Sequence, residues 1–129
     1  SIQTGGRSAL GLLRIRTDTG LEGHAFLGSA THTAENDGPG LIRFLKPLLM
    51  GKDPLDREAI SARLWPWTRT VTVRSIGAVD VALWDIAGQA AGMPIHRLLG
   101  TTRHGIGAYA SSARLPSIEA YAEEAQSFK

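Results

Sequence analysis

Residues 75–100 read SIGAVDVALWDIAGQAAGMPIHRLLG, an apolar run that closes on a glycine and a proline. Ile76, Val79, Leu83, Ile86, Ala87 and Ala90 recur at i, i+3, i+7, i+10, i+11 and i+14, which lays one continuous stripe along a helix. The small residues Gly77, Ala78, Ala82 and Gly88 let a neighbouring backbone come close. Gly92 is a natural helix stop, and Pro94 cannot continue the helix. Two aspartates and a histidine, Asp80, Asp85 and His96, sit in the same stretch. Five residues apart, the aspartates lie about 140° apart around a helix, so they cannot jointly hold one ion from it. Both are expected to be structural, with Asp80 pairing with an arginine or a helix end.

Working back from this helix, residues 9–27 (ALGLLRIRTDTGLEGHAFL) read as two strands joined at Asp18-Thr19-Gly20. Leu13 and Ile15 share one face, opposite Arg14 and Arg16; Leu21, Gly23, Ala25 and Leu27 alternate with Glu22, His24 and Phe26. A two-stranded sheet is marginal in water, so the downstream helices must cover it. Residues 28–40 (GSATHTAENDGPG) form a polar, Gly-rich connection with the ragged start of a helix. Leu41, Ile42, Phe44, Leu45, Leu48 and Leu49 then repeat at helical spacing, Pro47 should kink the run, and Gly51 ends it. Asp53 and Asp56 mark the start of a further helix with Ile60 and Leu64 buried; Trp65-Pro66-Trp67 ends that helix. Trp65, Trp67 and Trp84 are expected to be core anchors. Beyond the opening stretch, residues 105–112 (GIGAYASS) read as a strand. Ser117 then caps a helix that turns Ile118, Tyr121, Ala122, Ala125 and Phe128 inward.

The chain has 129 residues, 43% apolar and 20% charged, the make-up of one ordinary globular domain. Its 14 Lys and Arg are scattered and its net charge is only +2, so no concentrated basic face invites nucleic acid. There is no cysteine, which rules out disulfides and thiolate metal sites and fits a reducing, cytoplasmic setting. No apolar run reaches the roughly 18 residues that a bilayer span requires. The start carries neither a signal peptide's apolar core nor a methionine, and is expected to lie inside something longer.

The chemistry-bearing residues form no complete site by spacing. His24, His32, His96 and His104 match no metal-ligand pattern, and neither a phosphate loop nor a nucleophile elbow occurs. His24 and His32 bracket the connection that leaves the sheet edge.

AVDVALWDIAGQAAGMPIHRLLG (78–100) resembles the N-terminal capping domain of the enolase superfamily, in its mandelate racemase and muconate lactonizing branch. RIRTDTGLEGHAFLG (14–28) is similar to that domain's hairpin, and GIGAYASS to the first strand of the barrel that follows. The resemblance implies an α+β fold. Residues 1–104 would be a capping domain of small antiparallel sheet and helices that lacks its first strand. Residues 105–129 would be the first strand and helix of a (β/α) barrel. Members abstract a proton α to a carboxylate, with Lys or His bases and Mg²⁺ holding the enediolate. The family's bases and metal ligands belong after Lys129, so no catalytic residue and no metal ligand is expected in this chain; Mg²⁺ would be bound by barrel residues outside it.

The part implied to touch substrate is the cover. Ser1 to Arg7 would end one specificity loop, and Gly28, Ser29, Ala30, Thr31 and His32 would form the second. Ser111, at the end of the first barrel strand, matches a substrate-contacting position. A racemase tyrosine corresponds to Ala30 and its bulky neighbour to Gly28, so the smaller, more polar cover points to a sugar acid. The resemblance therefore implies a Mg²⁺-dependent sugar-acid dehydratase, acting as a homo-oligomer on a small carboxylate. A racemase, epimerase or cycloisomerase of the same superfamily is the alternative, and a non-catalytic helical interaction domain is the alternative of another class.

Overall fold

The computed structural model describes residues 10–28, 34–112 and 114–128. Ser1 to Arg7, the positions Ser29, Ala30, Thr31 and His32, and Lys129 lie outside the described residues. Strands β1 (Gly11–Arg16) and β2 (Glu22–Leu27) pair antiparallel, with Leu12 opposite Phe26 and Arg14 opposite His24. Gly20, at φ +90°, supplies the left-handed residue of the turn, a conformation that costs glycine little. Thr17 closes the turn by accepting the Leu21 N–H at 2.9 Å on its hydroxyl.

Helix α1 (Ala34–Gly40) runs into a π-helical turn, Leu41–Leu45, and then α2 (Lys46–Leu49). The kink expected at Pro47 is this turn: proline brings no N–H and its ring crowds the carbonyl four residues back, and the Lys46 N–H bonds instead to the Leu41 carbonyl. Such a one-turn widening is a known way for a helix to absorb the defect. Ile42, expected inward, is exposed, because the π turn rotates the stripe.

Helix α3 (Arg57–Leu64) follows a turn in which Asp53 accepts the Leu55 N–H at 2.9 Å. Asp56 occupies its N-cap without a side-chain cap bond. Trp65-Pro66-Trp67 tightens the chain into a 3-10 turn, Trp65–Arg69, rather than stopping it. Of the three tryptophans, only Trp67 packs against the core, stacked on Phe44 at 5.5 Å. Trp65 is exposed, and Trp84 is half-buried beneath the Arg57 guanidinium, 3.3 Å above its ring.

Helix α4 (Val73–Ala91) is the stretch quoted at the outset, and it organises the rest. The Thr72 hydroxyl caps its start by accepting the Ser75 N–H at 3.2 Å, a bond of a type worth about 1 kcal/mol. At its end Gly92 turns left-handed (φ 61°, ψ 28°). The N–H groups of Gly92 and Met93 bond to the carbonyls of Gln89 and Gly88, satisfying two helix-end acceptors at once. Ile76, Val79, Leu83 and Ile86 are buried as the stripe requires, but Ala90 is exposed, since the stripe outruns its cover.

The inner sheet face lies on this helix. Gly23 makes the contact possible: a Cβ there would stand 2.0 Å from the Ala82 carbonyl oxygen. Ala25 and Leu27 of β2 are buried with Leu41, Leu45, Ile60, Leu64, Val71 and the α4 stripe in one core.

Beyond Gly92 the chain forms a short α5 (Ile95–Leu98) and α6 (Ile118–Ser127). Residues 105–112 form no strand. A strand exists through its ladder, and this segment pairs with no strand among the described residues. Helix α6 begins as expected, with Ser117 accepting the Ala120 N–H at 3.2 Å. Its expected inward residues Ile118, Tyr121, Ala122, Ala125 and Phe128 are all exposed, because no other described element covers that face.

Candidate functional site

Two polar assemblies tie the rest of the chain to the two halves of α4. Near its C-terminal half, the Asp85 carboxylate accepts the His24 backbone N–H at 2.9 Å and the Gln89 amide at 3.1 Å. Gln89 also donates to the Glu22 carbonyl at 2.7 Å. Residues 22 and 24 present these backbone groups on the edge of β2 facing away from β1, so the two side chains close an edge that would otherwise be open for pairing. Asp85 is thus structural, as expected. Asp80 is half-buried and makes no hydrogen bond or ion pair among the described residues, so its expected arginine or helix-end partner is not found.

On the outer sheet face, Glu22 accepts the Arg16 Nε–H at 2.6 Å and lies 3.8 Å from Arg14. The Arg16 bond holds the Glu22 carboxyl below the usual carboxylate range. The Gln89 amide does the same for Asp85, with the His24 N–H acting in the same direction. The His24 ring stands 3.7 Å from Asp85 and 3.8 Å from Glu22. No group of three His, Asp or Glu among the described residues could hold a metal ion.

The second assembly is one that sequence reading missed. Asp37, in α1, has a fully buried side chain. Its carboxylate accepts the Thr72 hydroxyl at 2.7 Å and the Arg74 Nε–H at 3.1 Å, and its carbonyl accepts the Ser75 hydroxyl at 3.3 Å. The start of α4 favours a negative charge beside it. Asp37 reads in sequence as one polar residue in a Gly-rich connection, and Thr72, Arg74 and Ser75 lie 35 to 38 positions away; no local spacing announces these three.

Of the expected substrate-facing residues, Gly28 and Ser111 are among the described ones. Gly28 ends β2 at φ +94°, the left-handed region that favours glycine, directly after the buried Leu27. From it the chain leaves the sheet, and it returns at α1. Ser111 is exposed and outside every element, and no hydrogen bond among the described residues joins it to the hairpin. A shallow groove of about 460 Å³ lies elsewhere, between Asp85, Gln89 and the turn Met93-Pro94-Ile95.

A hairpin clamped to one long helix, with further helices closing the core, is the architecture of an enolase-superfamily capping domain. The chain belongs to the mandelate racemase / muconate lactonizing enzyme family, whose N-terminal domain it matches over residues 1–100. It is 42% identical over 115 residues to a D-galactonate dehydratase family member of Pseudarthrobacter chlorophenolicus, covering 82% of this chain and 27% of that protein. To a D-mannonate dehydratase of Novosphingobium aromaticivorans it is 40% identical over 106 residues, covering 75% and 25%. An enolase-superfamily structure from Polaromonas sp. JS666 superposes with a TM-score of 0.71 at 26% identity, covering 91% of this chain and 33% of that one. The chain thus spans about a quarter of the length of the curated relatives it matches. No helix among the described residues is long and apolar enough to cross a membrane.

Proposed function

We propose that this chain is the cover of a Mg²⁺-dependent sugar-acid dehydratase. In that reaction the C2–H bond α to the carboxylate breaks, the C3 hydroxyl leaves as water, and the resulting enol becomes a 2-keto-3-deoxy acid. The observation that carries the proposal is the 42% identity across 115 residues to a D-galactonate dehydratase family member. The D-mannonate dehydratase likeness over the same region supports the same substrate class. Mg²⁺ would supply charge stabilisation for the enediolate. By the family resemblance, the metal and the bases are assigned to barrel residues of the full-length protein.

The role left to this chain is to cover the reaction. Gly28, Ser29, Ala30, Thr31 and His32 form the part of the cover that meets substrate, with Ser111 contributing a hydroxyl from below. Excluding water strengthens charge–charge interactions beneath such a cover, and small, polar residues leave room for a hydrated, many-hydroxyl substrate. In an assembled, cytoplasmic homo-oligomer the cover would act on its own barrel.

The test is a panel of acid sugars, D-galactonate and D-mannonate included, offered to the full-length enzyme with Mg²⁺ or with EDTA. Loss of water from at least one, abolished by EDTA, is expected. Inversion at C2 without loss of water would establish the racemase or epimerase alternative. A full-length protein inert to the whole panel would remove the dehydratase reading.

A further inference from the structure

We propose that His24 is a proton-operated tie between the hairpin and α4, its ring joining Asp85 of the helix to Glu22 of β2. The ring Nδ1 stands 3.7 Å from Asp85 Oδ2, and Nε2 stands 3.8 Å from Glu22 Oε2. A neutral imidazole has one N–H and one bare lone pair, so it serves one of these carboxylates and turns the lone pair on the other. An imidazolium has an N–H on both sides and serves both. The tie is a property of the fold and does not depend on which reaction the full-length protein performs.

The acceptor on the helix is in place before the proton arrives. The same Asp85 oxygen already accepts the His24 backbone N–H at 2.9 Å, and Gln89 holds the other oxygen at 3.1 Å. The carboxylate is therefore fixed beside the ring, and α4 need not rearrange. Histidine is the side chain that changes charge between about pH 5 and 8, and the two carboxyls stay ionised over that span. The Gln89 amide foremost holds Asp85 low and the Arg16 bond foremost holds Glu22 low, with His24 among the further causes for both.

Opposing charge comes from β1, where Arg14 lies across from His24 and Arg16 across from Glu22. Both are turned to Glu22, at 3.8 and 2.6 Å. Among the described residues, the charged groups around the ring are thus two guanidiniums on β1, Glu22 on β2 and Asp85 on α4. These charges nearly balance, so the direction of the contacts decides, and the contact the proton completes is Nδ1–H toward Asp85. That contact crosses from sheet to helix, whereas the one to Glu22 stays within β2. His96 and His104 have no carboxylate within 4 Å among the described residues.

A double-mutant cycle in the full-length protein tests the tie. His24→Gln removes the titrating ring, Asp85→Asn keeps an acceptor for the His24 backbone N–H, and the two are combined. Comparing the four proteins at one pH cancels the backbone bond. Hydrogen exchange of the β2 amides, residues 22–27, reads the opening of the hairpin in each at pH 5.5 and at pH 8. The coupling between residues 24 and 85 is expected to protect these amides about threefold at pH 5.5, the scale of a half-exposed ion pair, and to be lost at pH 8. His96→Gln is expected to leave β2 exchange unchanged at both. Equal coupling at the two pH values, or none at either, overturns the proposal. If Asp85→Asn does not fold, the native protein against His24→Gln decides. Greater β2 protection in the native protein at pH 5.5 alone sustains the tie, and a ratio that does not change with pH overturns it.

Discussion

Residues 11–91 and residues 101–128 have similar apolar patterns and opposite fates. In the first region Val79, Ala82 and Ile86 are wholly buried; in the second Ile106, Tyr109 and Ile118 are 76%, 88% and 82% exposed. The difference lies in what each apolar face meets. The hairpin finds α4, approaches it through Gly23, and has its edge closed by Asp85 and Gln89. Helix α6 is capped and amphipathic, yet its apolar face is left exposed. A pattern specifies which face wants cover, and only a partner element supplies it.

The sharpest way to break this comparison is to make the same change in both regions. Gly23→Ala drives a methyl against a backbone oxygen at 2.0 Å and should cost about 4 kcal/mol, beyond the usual range for overpacking. Gly107→Ala meets nothing within 4 Å and should leave the unfolding midpoint unchanged. Chemical denaturation of both variants measures the contrast, and equal effects would dissolve it.

Next comes the removal of apolar side chains. Ile86→Ala empties a fully buried position and should cost about 3 kcal/mol. Ile118→Ala, at an exposed position, should stay within about 0.5 kcal/mol. Thermal unfolding of the two variants ranks them.

The smallest effects concern the polar closure of the β2 edge. Asp85→Ala leaves the His24 N–H without its acceptor and should cost about 1 kcal/mol, with faster amide exchange at His24. Because the folded-state carboxyls of Asp85 and Glu22 are held below their ordinary values, they favour the native state at pH values above those of the unfolded chain. That contribution is lost as pH falls through the lowered folded values. Midpoints measured downward from pH 6 should therefore decline in acid, and less steeply in Asp85→Asn.

How much of this was legible depends on range. The two strands, the inward set Gly23, Ala25 and Leu27, the turn at Asp18-Thr19-Gly20 and the stop at Gly92 follow from period and turn chemistry. They act within a few residues. The π turn was legible only as a kink at Pro47, since sequence does not say how a helix absorbs the missing N–H. Ala90 and Ile42 show the limit of periodicity, which marks a stripe without marking where its cover ends. Asp37 gave no local signal toward Thr72, Arg74 and Ser75, which are 35 or more positions distant, and Asp80 drew attention by lying beside the stripe while making no hydrogen bond or ion pair among the described residues. Of the candidate site, Gly28 follows β2 with a left-handed backbone, and Ser111 lies outside any element. The residues of 105–112 carry a strand pattern, but a strand also needs a ladder partner, which the segment itself does not specify, and none forms.

The most direct test of the division is amide hydrogen exchange along the 129-residue chain. Amides of β2 and of α4 from Ile76 to Ile86 should exchange together, at the rate set by global unfolding. Those of residues 101–112 should exchange orders of magnitude faster. Protection of residues 105–112 equal to that of α4 would contradict the account, because that segment would then belong to the same core.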